Sequence, residues 1–224
     1  MATPKLSPAA LTLILRSEGI DQPYRWPGLG SGITLGYGCD IGADPKSLNY
    51  WEGILTPAQI DLLRPAQGVT GRAAKQMETR FSSITISPSQ AIKVFLAHTA
   101  PTEIKKTLRT FPGVLLFPED VLGAMVSLVY NRGTSLAGDR RREMAKIAEI
   151  CRRFESLTDG ARKSSIGQYM FEIAQQIRSM KRLWKGGGLN ARRENEARLI
   201  EAAIPNGMLS FTNFGLDSRQ PSKA

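Results

Sequence analysis

Leu11-Thr12-Leu13-Ile14-Leu15-Arg16-Ser17-Glu18-Gly19 is followed, after residues 20–30, by Ser31-Gly32-Ile33-Thr34-Leu35-Gly36-Tyr37-Gly38-Cys39-Asp40-Ile41-Gly42. The first string reads as the end of a helix. Ser7-Pro8 supplies an N-cap with proline at the first helical position, and Leu11, Ile14, Leu15 and Glu18 recur at helical spacing. Gly19 is the stop. The second string has another texture. Glycines at 28, 30, 32, 36, 38 and 42 punctuate it, and Ile33 to Cys39 alternates like a strand. A small, irregular antiparallel sheet is expected there.

Downstream of about Asp44 the pattern is helical. Thr56-Pro57 and Ser87-Pro88 repeat the cap-plus-proline start, and the second is expected to run to the vicinity of Thr110. Pro118-Glu119-Asp120 opens a strongly apolar helix through Val121, Leu122, Met125, Leu128 and Val129, closed by Asn131-Arg132-Gly133 with Gly133 as a left-handed cap. Further helices are expected over 139–156, 164–183 and 189–203. After Pro205 the periodicity fades into a tail. The expected fold class is α+β, mostly α: an N-terminal helix, a small antiparallel β-sheet, then a helical bundle.

Composition narrows the function. The chain has 224 residues, 42% of them hydrophobic, which excludes disorder and a disulfide scaffold. Cys39 and Cys151 read as free thiols, with one long-range bridge as the alternative. No run approaches the roughly 20 apolar residues of a bilayer span, and the N-terminus does not read as a signal peptide. A net charge of +10 favours an anionic partner such as nucleic acid, an acidic membrane surface or a bacterial cell wall.

Glu18 needs the most explanation. It lies on the apolar face of its helix and at the negative end of the helix dipole, a placement that suits a general acid. Alternatively it turns outward or pairs with an arginine. The glycine-rich string adds Thr34 and Asp40, which can converge with Glu18 on one cleft, and its glycines let a bulky polymer lie across the strands. Hydrolysis of a glycosidic bond needs such a pair: an acid on the leaving oxygen and a base positioning water. As a phosphate loop the string fails, because it lacks the Lys-Ser/Thr of a P-loop.

At these residues the chain resembles the phage-type lysozymes, glycoside hydrolase family 24. Glu18-Gly19 followed by Gly32-Ile33-Thr34-Leu35-Gly36-Tyr37-Gly38 is similar to that family's Glu-Gly and Thr-Ile-Gly-hydrophobic-Gly signature. Leu128-Val129-Tyr130-Asn131-Arg132-Gly133 resembles its central helix end. Trp184, Gly188-Leu189 and Arg192-Arg193-Glu194-x-Glu196 resemble its closing segment. The family's usual aspartate before the threonine has no counterpart, because Trp26-Pro27-Gly28-Leu29 holds no acid. Asp40, six residues after Thr34, instead matches the pesticin-like branch of bacterial muramidases.

The resemblance implies a single lysozyme-like domain over 1–205, with a β-containing lobe at 19–45, a helical lobe at 46–205 and a tail at 206–224. It implies an N-acetylmuramidase that cleaves the β-1,4 bond between N-acetylmuramic acid and N-acetylglucosamine in peptidoglycan, causing bacterial cell lysis, with Glu18 as acid, Asp40 as base and Thr34 orienting water; Asp21 is the fallback base. Inversion is the expected stereochemistry. Tyr37, Trp26, Tyr24 and Asn131 are candidate saccharide contacts, each with a core or capping role as its alternative. Arg192 or Arg193 is the candidate partner of Glu18, and Trp184 is expected beneath the cleft. His98, in a helix with apolar neighbours, reads as structural, and the Arg140-Arg141-Arg142 cluster as a solvated face.

No cofactor and no metal are expected. The expected partner is bacterial peptidoglycan rather than nucleic acid, without stable membrane insertion. The protein is expected to be a monomer made in the cytoplasm, to act on the cell wall (periplasm) after release or delivery, and to meet delivery machinery or an immunity protein. That description covers an endolysin and a bacteriolytic effector alike. Three alternatives stay open: a lytic transglycosylase, a catalytically inactive wall-binding relative, and a nucleic-acid-binding module suggested by charge alone.

Overall fold

Ser7 begins the folded chain as the cap that its sequence context predicts. Its side chain accepts the amide of Ala10 at 3.1 Å and opens α1, Pro8–Glu18. Gly19 ends the helix with φ +71°, a region that favours glycine. These details come from a computed structural model that describes residues 4–206 and Met208. It shows a mostly helical α+β chain with one two-stranded antiparallel sheet. The tail expected at 206–224 falls almost wholly outside the described residues.

The sheet is smaller than the alternation implies. β1 is Thr34–Leu35 and β2 is Cys39–Asp40, with Thr34 opposite Asp40 and Leu35 opposite Cys39. The turn between them is Gly36-Tyr37-Gly38, whose glycines take φ of +61° and +71°. Every residue from Gly32 to Tyr37 is buried, so the strand has no solvent face to alternate with. Neighbouring backbone occupies both flanks. Asp21 pairs with Gly36 (N···O 2.6 and 2.9 Å), Gly71 donates to the Ser31 carbonyl at 2.9 Å, and Gly68 donates to that of Ile41 at 3.1 Å.

The helical expectations then hold in order, with shifted ends. Thr56 and Ser87 each form a capping box, with Gln59 and Gln90, at the starts of α2, Pro57–Leu63, and α4, Pro88–Val94. Between them lies α3, Gly71–Met77. The helix begun at Ser87 does reach Thr110, but through a π-helical turn, Phe95–Thr99, that leads into α5, Ala100–Thr110. α6 is Glu119–Arg132, buried without interruption from Val121 to Val129 as its all-round apolar character requires. Gly133 closes it with φ +73° and an amide bond to Val129 at 2.7 Å.

The chain divides into two compact units. Of the described residues, the first holds those up to 110 together with 125–134, and the second holds 111–124 and those from 135 on. Buried Ile33, Leu35, Ile41, Leu48, Trp51, Leu63, Phe81 and Phe95 belong to the first. In the second, α7 (Arg142–Glu155) packs on α8 (Asp159–Ser179), and α8 packs on α9 (Gly188–Ala202). α8 starts five residues before the sequence pattern shows it. Thr158 is its cap, accepting from Ala161 at 3.4 Å, and weak helix formers in Gly160, Ser164 and Ser165 obscure the first turn.

Close backbone approach makes one glycine testable. A Cβ on Gly42 would overlap the Val69 carbonyl oxygen and crowd the Gly32 Cα at 2.6 Å, both of them backbone atoms. Gly42→Ala is therefore expected to cost about 1–3 kcal/mol. Calorimetry should show a melting point lower by roughly 2–4 °C per kcal/mol, and an unchanged melting point would refute the packing described.

Candidate functional site

Three acidic side chains of the first unit, Glu18, Asp21 and Asp40, lie on or beside the hairpin and interact through space. Glu18 is the half-buried last residue of α1. Asp21 follows three residues later, its backbone paired with Gly36 and its carboxylate accepting the Gly38 amide at 3.3 Å. Burial raises the Asp21 carboxyl above the usual aspartate range. The Gly38 amide opposes that shift, and the charges of Glu18 and Asp40 add to it. Asp21 thus lies within electrostatic reach of both candidate catalytic carboxylates.

Asp40 is held by backbone rather than by side chains. Its Oδ1 accepts the amides of Gly42 and Ala43, each at 2.9 Å, and of Gly32 at 3.1 Å. Its Oδ2 accepts Gly32 alone, at 3.0 Å. One oxygen is therefore anchored in the loop, while the other retains capacity for a further donor. The β register sets Thr34 directly across from it. Thr34 is buried, and its hydroxyl donates weakly to the Gly32 carbonyl at 3.3 Å.

Tyr130, on α6, ties the turn in place. Its hydroxyl donates to the Tyr37 carbonyl at 2.6 Å, and a Cβ on Gly38 would run into the same hydroxyl. The N–H of that same Tyr37–Gly38 peptide donates to Asp21, so phenol, turn and carboxylate form one chain of contacts. Burial, and then the negative charges of Glu18, Glu103, Cys39 and Asp21, push the Tyr130 phenol well above its ordinary range. It serves as a neutral donor at physiological pH.

The remaining candidates divide. Tyr37 is buried edge-to-face on Phe95, centroids 6.0 Å apart, which is a core position. Half-buried Trp26 donates from Nε1 to Ser31 at 2.8 Å, receives Lys75 over its ring at 5.8 Å, and has its backbone amide bound by Glu78 at 2.8 Å. Tyr24 is half-buried under Arg25, and Asn131 is exposed. In the second unit, Arg192 and Arg193 are both buried and pair with fully buried Glu196 at 3.3 and 2.7 Å. Trp184 is half-buried there. Cys39 and Cys151 are buried free thiols; Cys39 accepts the Trp51 indole N–H at 3.2 Å.

Sequence reasoning passed over two members of this neighbourhood. Glu103 is buried on α5 and paired with Lys106 at 2.7 Å; its signal was a glutamate on a helix face shared with Ile104 and Thr107. Tyr130 was visible only as part of a helix-end motif. No group of three His, Cys, Asp or Glu side chains among the described residues is arranged to hold a metal ion. No helix among them is long and apolar enough to cross a membrane. No protein-family model matches the chain, and no curated protein matches it in sequence.

The raised Asp21 carboxyl has a sign that stability measurements can read. Between its ordinary value and its folded value the native state holds the proton more tightly, so stability falls as pH rises through that window. Asp21→Asn should therefore melt higher than wild type at pH 7, with the two curves converging below about pH 3, where aspartates are protonated in either state. Tyr130→Phe, which strips the donor from the Tyr37 carbonyl, should instead lose about 1 kcal/mol at every pH between 4 and 8.

Proposed function

We propose that the chain is a lysozyme-type muramidase that hydrolyses the β-1,4 bond between N-acetylmuramic acid and N-acetylglucosamine in peptidoglycan. The observation that carries the reading is the grouping of Glu18 at a helix end with Asp21 and Asp40, on and beside a glycine turn braced by Tyr130. Glu18 gives its proton to the glycosidic oxygen as the bond to the anomeric carbon breaks. Asp40, through the oxygen bound by only one backbone amide, takes a proton from the water that attacks that carbon, and Thr34 lies opposite to orient it. Single displacement with inversion follows when the two carboxyls stand about 6.5–9.5 Å apart.

A specific observation favours Asp21 as the base in a second reading. Its carboxyl is raised toward the working range of a general base and carries one weak hydrogen bond, whereas Asp40 accepts from three different amides. The net charge of +10 supports an anionic wall polymer as partner. The enzyme acts in that reading as a monomer at the cell wall, after release or delivery from the cytoplasm.

Turbidity loss of purified peptidoglycan, followed for wild type and variants, tests the proposal. Glu18→Gln should clear at least about 10²-fold more slowly, the loss typical of a missing general acid. Asp40→Asn and Asp21→Asn distinguish the two bases, because only the true base should lose a comparable factor. Equal clearing by wild type and Glu18→Gln would sink the enzyme. Mass spectrometry of released muropeptides should show reducing ends; anhydro ends would assign a transglycosylase instead.

A further inference from the structure

A groove in the first unit borders Asp40, and its far wall is unused by the chemistry above. It encloses about 270 Å³ and is lined by Gly38 and Asp40 on one side, by Tyr50, and by His98, Thr102 and Glu103 on the other. Its position is not incidental, since the wall that holds Asp40 is the wall of the hairpin itself. The volume falls just under the roughly 300–1,000 Å³ of pockets for drug-sized ligands. One ring-sized unit fits; a folded peptide does not.

The most distinctive surface in the groove is aromatic. His98 is exposed and lies flat on half-buried Tyr50, with centroids 4.2 Å apart and planes 4° from parallel. One imidazole face is therefore covered by Tyr50, while the residue as a whole is exposed. His98 belongs to the π-helical turn Phe95–Thr99, and such turns recur at functional sites because the extra residue redirects side chains. An exposed ring held rigid by a second ring is a platform for the apolar C–H face of a pyranose.

The polar lining fits a sugar better than a cation. Of its acidic groups, Asp40 already accepts three backbone amides, Asp44 accepts the Lys46 amide at 3.2 Å, and Glu103 pairs with Lys106 at 2.7 Å. Their charge is thus largely answered from within. What they still offer is lone pairs at the rim of a flat ring, the acceptors that sugar hydroxyls and an acetamido N–H require.

We infer that this groove is a saccharide subsite in which the His98–Tyr50 stack carries one N-acetylhexosamine ring of a β-1,4-linked glycan strand next to Asp40. The inference rests on the muramidase reading for its substrate class but not for its geometry. It explains why the hairpin turn exposes Gly38 beside the groove, and it gives the single histidine of the chain a role other than packing.

That single histidine makes the test direct. The full-length Glu18→Gln protein is titrated with chitotetraose, a β-1,4 tetramer of N-acetylglucosamine, while the ring proton resonances of His98 are followed by NMR. Saturable shifts at His98 are expected, with the dissociation constant raised at least tenfold by His98→Ala and kept within about threefold by His98→Phe, which retains a ring. Both variants change an exposed side chain, and their melting points should stay within a few degrees of the parent. Binding that leaves His98 unmoved, equal affinity in His98→Ala, no binding at all, or shifts caused by a free stem peptide instead of the glycan would each overturn the subsite. The two readings fail separately. Loss of the muramidase reading appears as Glu18-independent clearing or no clearing with His98 shifts intact, and loss of the subsite appears as Glu18-dependent clearing with His98 silent.

Discussion

One carboxylate organises the hairpin. Asp40 draws the amides of Gly32, Gly42 and Ala43 onto a single oxygen, joining the beginning, the second strand and the exit of the loop in a space no Cβ can share. Buried backbone donors must find acceptors, and in a segment with only two ladder pairs the sheet cannot supply them. The side chain does so. The strands are therefore short without being frayed, and the glycines at 32 and 42 follow from the closeness of the chains rather than from flexibility.

The outer side of the same loop meets Tyr130 and Asp21. Gly38 is exposed, Tyr130 braces its neighbour's carbonyl, and Asp21 takes its amide. Burial raises both the Asp21 carboxyl and the Tyr130 phenol, and the charge of Glu18 adds to each shift. Perturbed groups clustered at one turn are a physical sign of a site, and here they are Asp21 and Tyr130, neighbours of Glu18 and Asp40.

The second unit is held differently. α9 carries a buried Arg192–Arg193–Glu196 cluster, and a partly exposed network of Arg178 on α8, Lys181 just after it, and Glu194, Arg198 and Glu201 on α9 links the surface. Glu194, ringed by Arg178 and Lys181, is held down to about 2. A buried ion pair costs desolvation that only good geometry repays, so this cluster speaks for specificity of packing more than for stability.

Helix starts were legible because they are local: Ser7, Thr56 and Ser87 announce themselves by a hydroxyl residue directly followed by a proline. The order of helix, glycine-rich sheet and helices was legible for the same reason, as was the candidacy of Glu18, Thr34 and Asp40. What a single sequence does not contain is distance. The three-amide anchorage of Asp40, the raised carboxyl of Asp21, the Tyr130 brace and the His98–Tyr50 stack join residues from 2 to 93 positions apart, and each depends on burial or on a contact made only once the chain is folded. Local capping chemistry determined the elements; the tertiary structure alone decided which carboxylates share an environment, because desolvation and charge act through space.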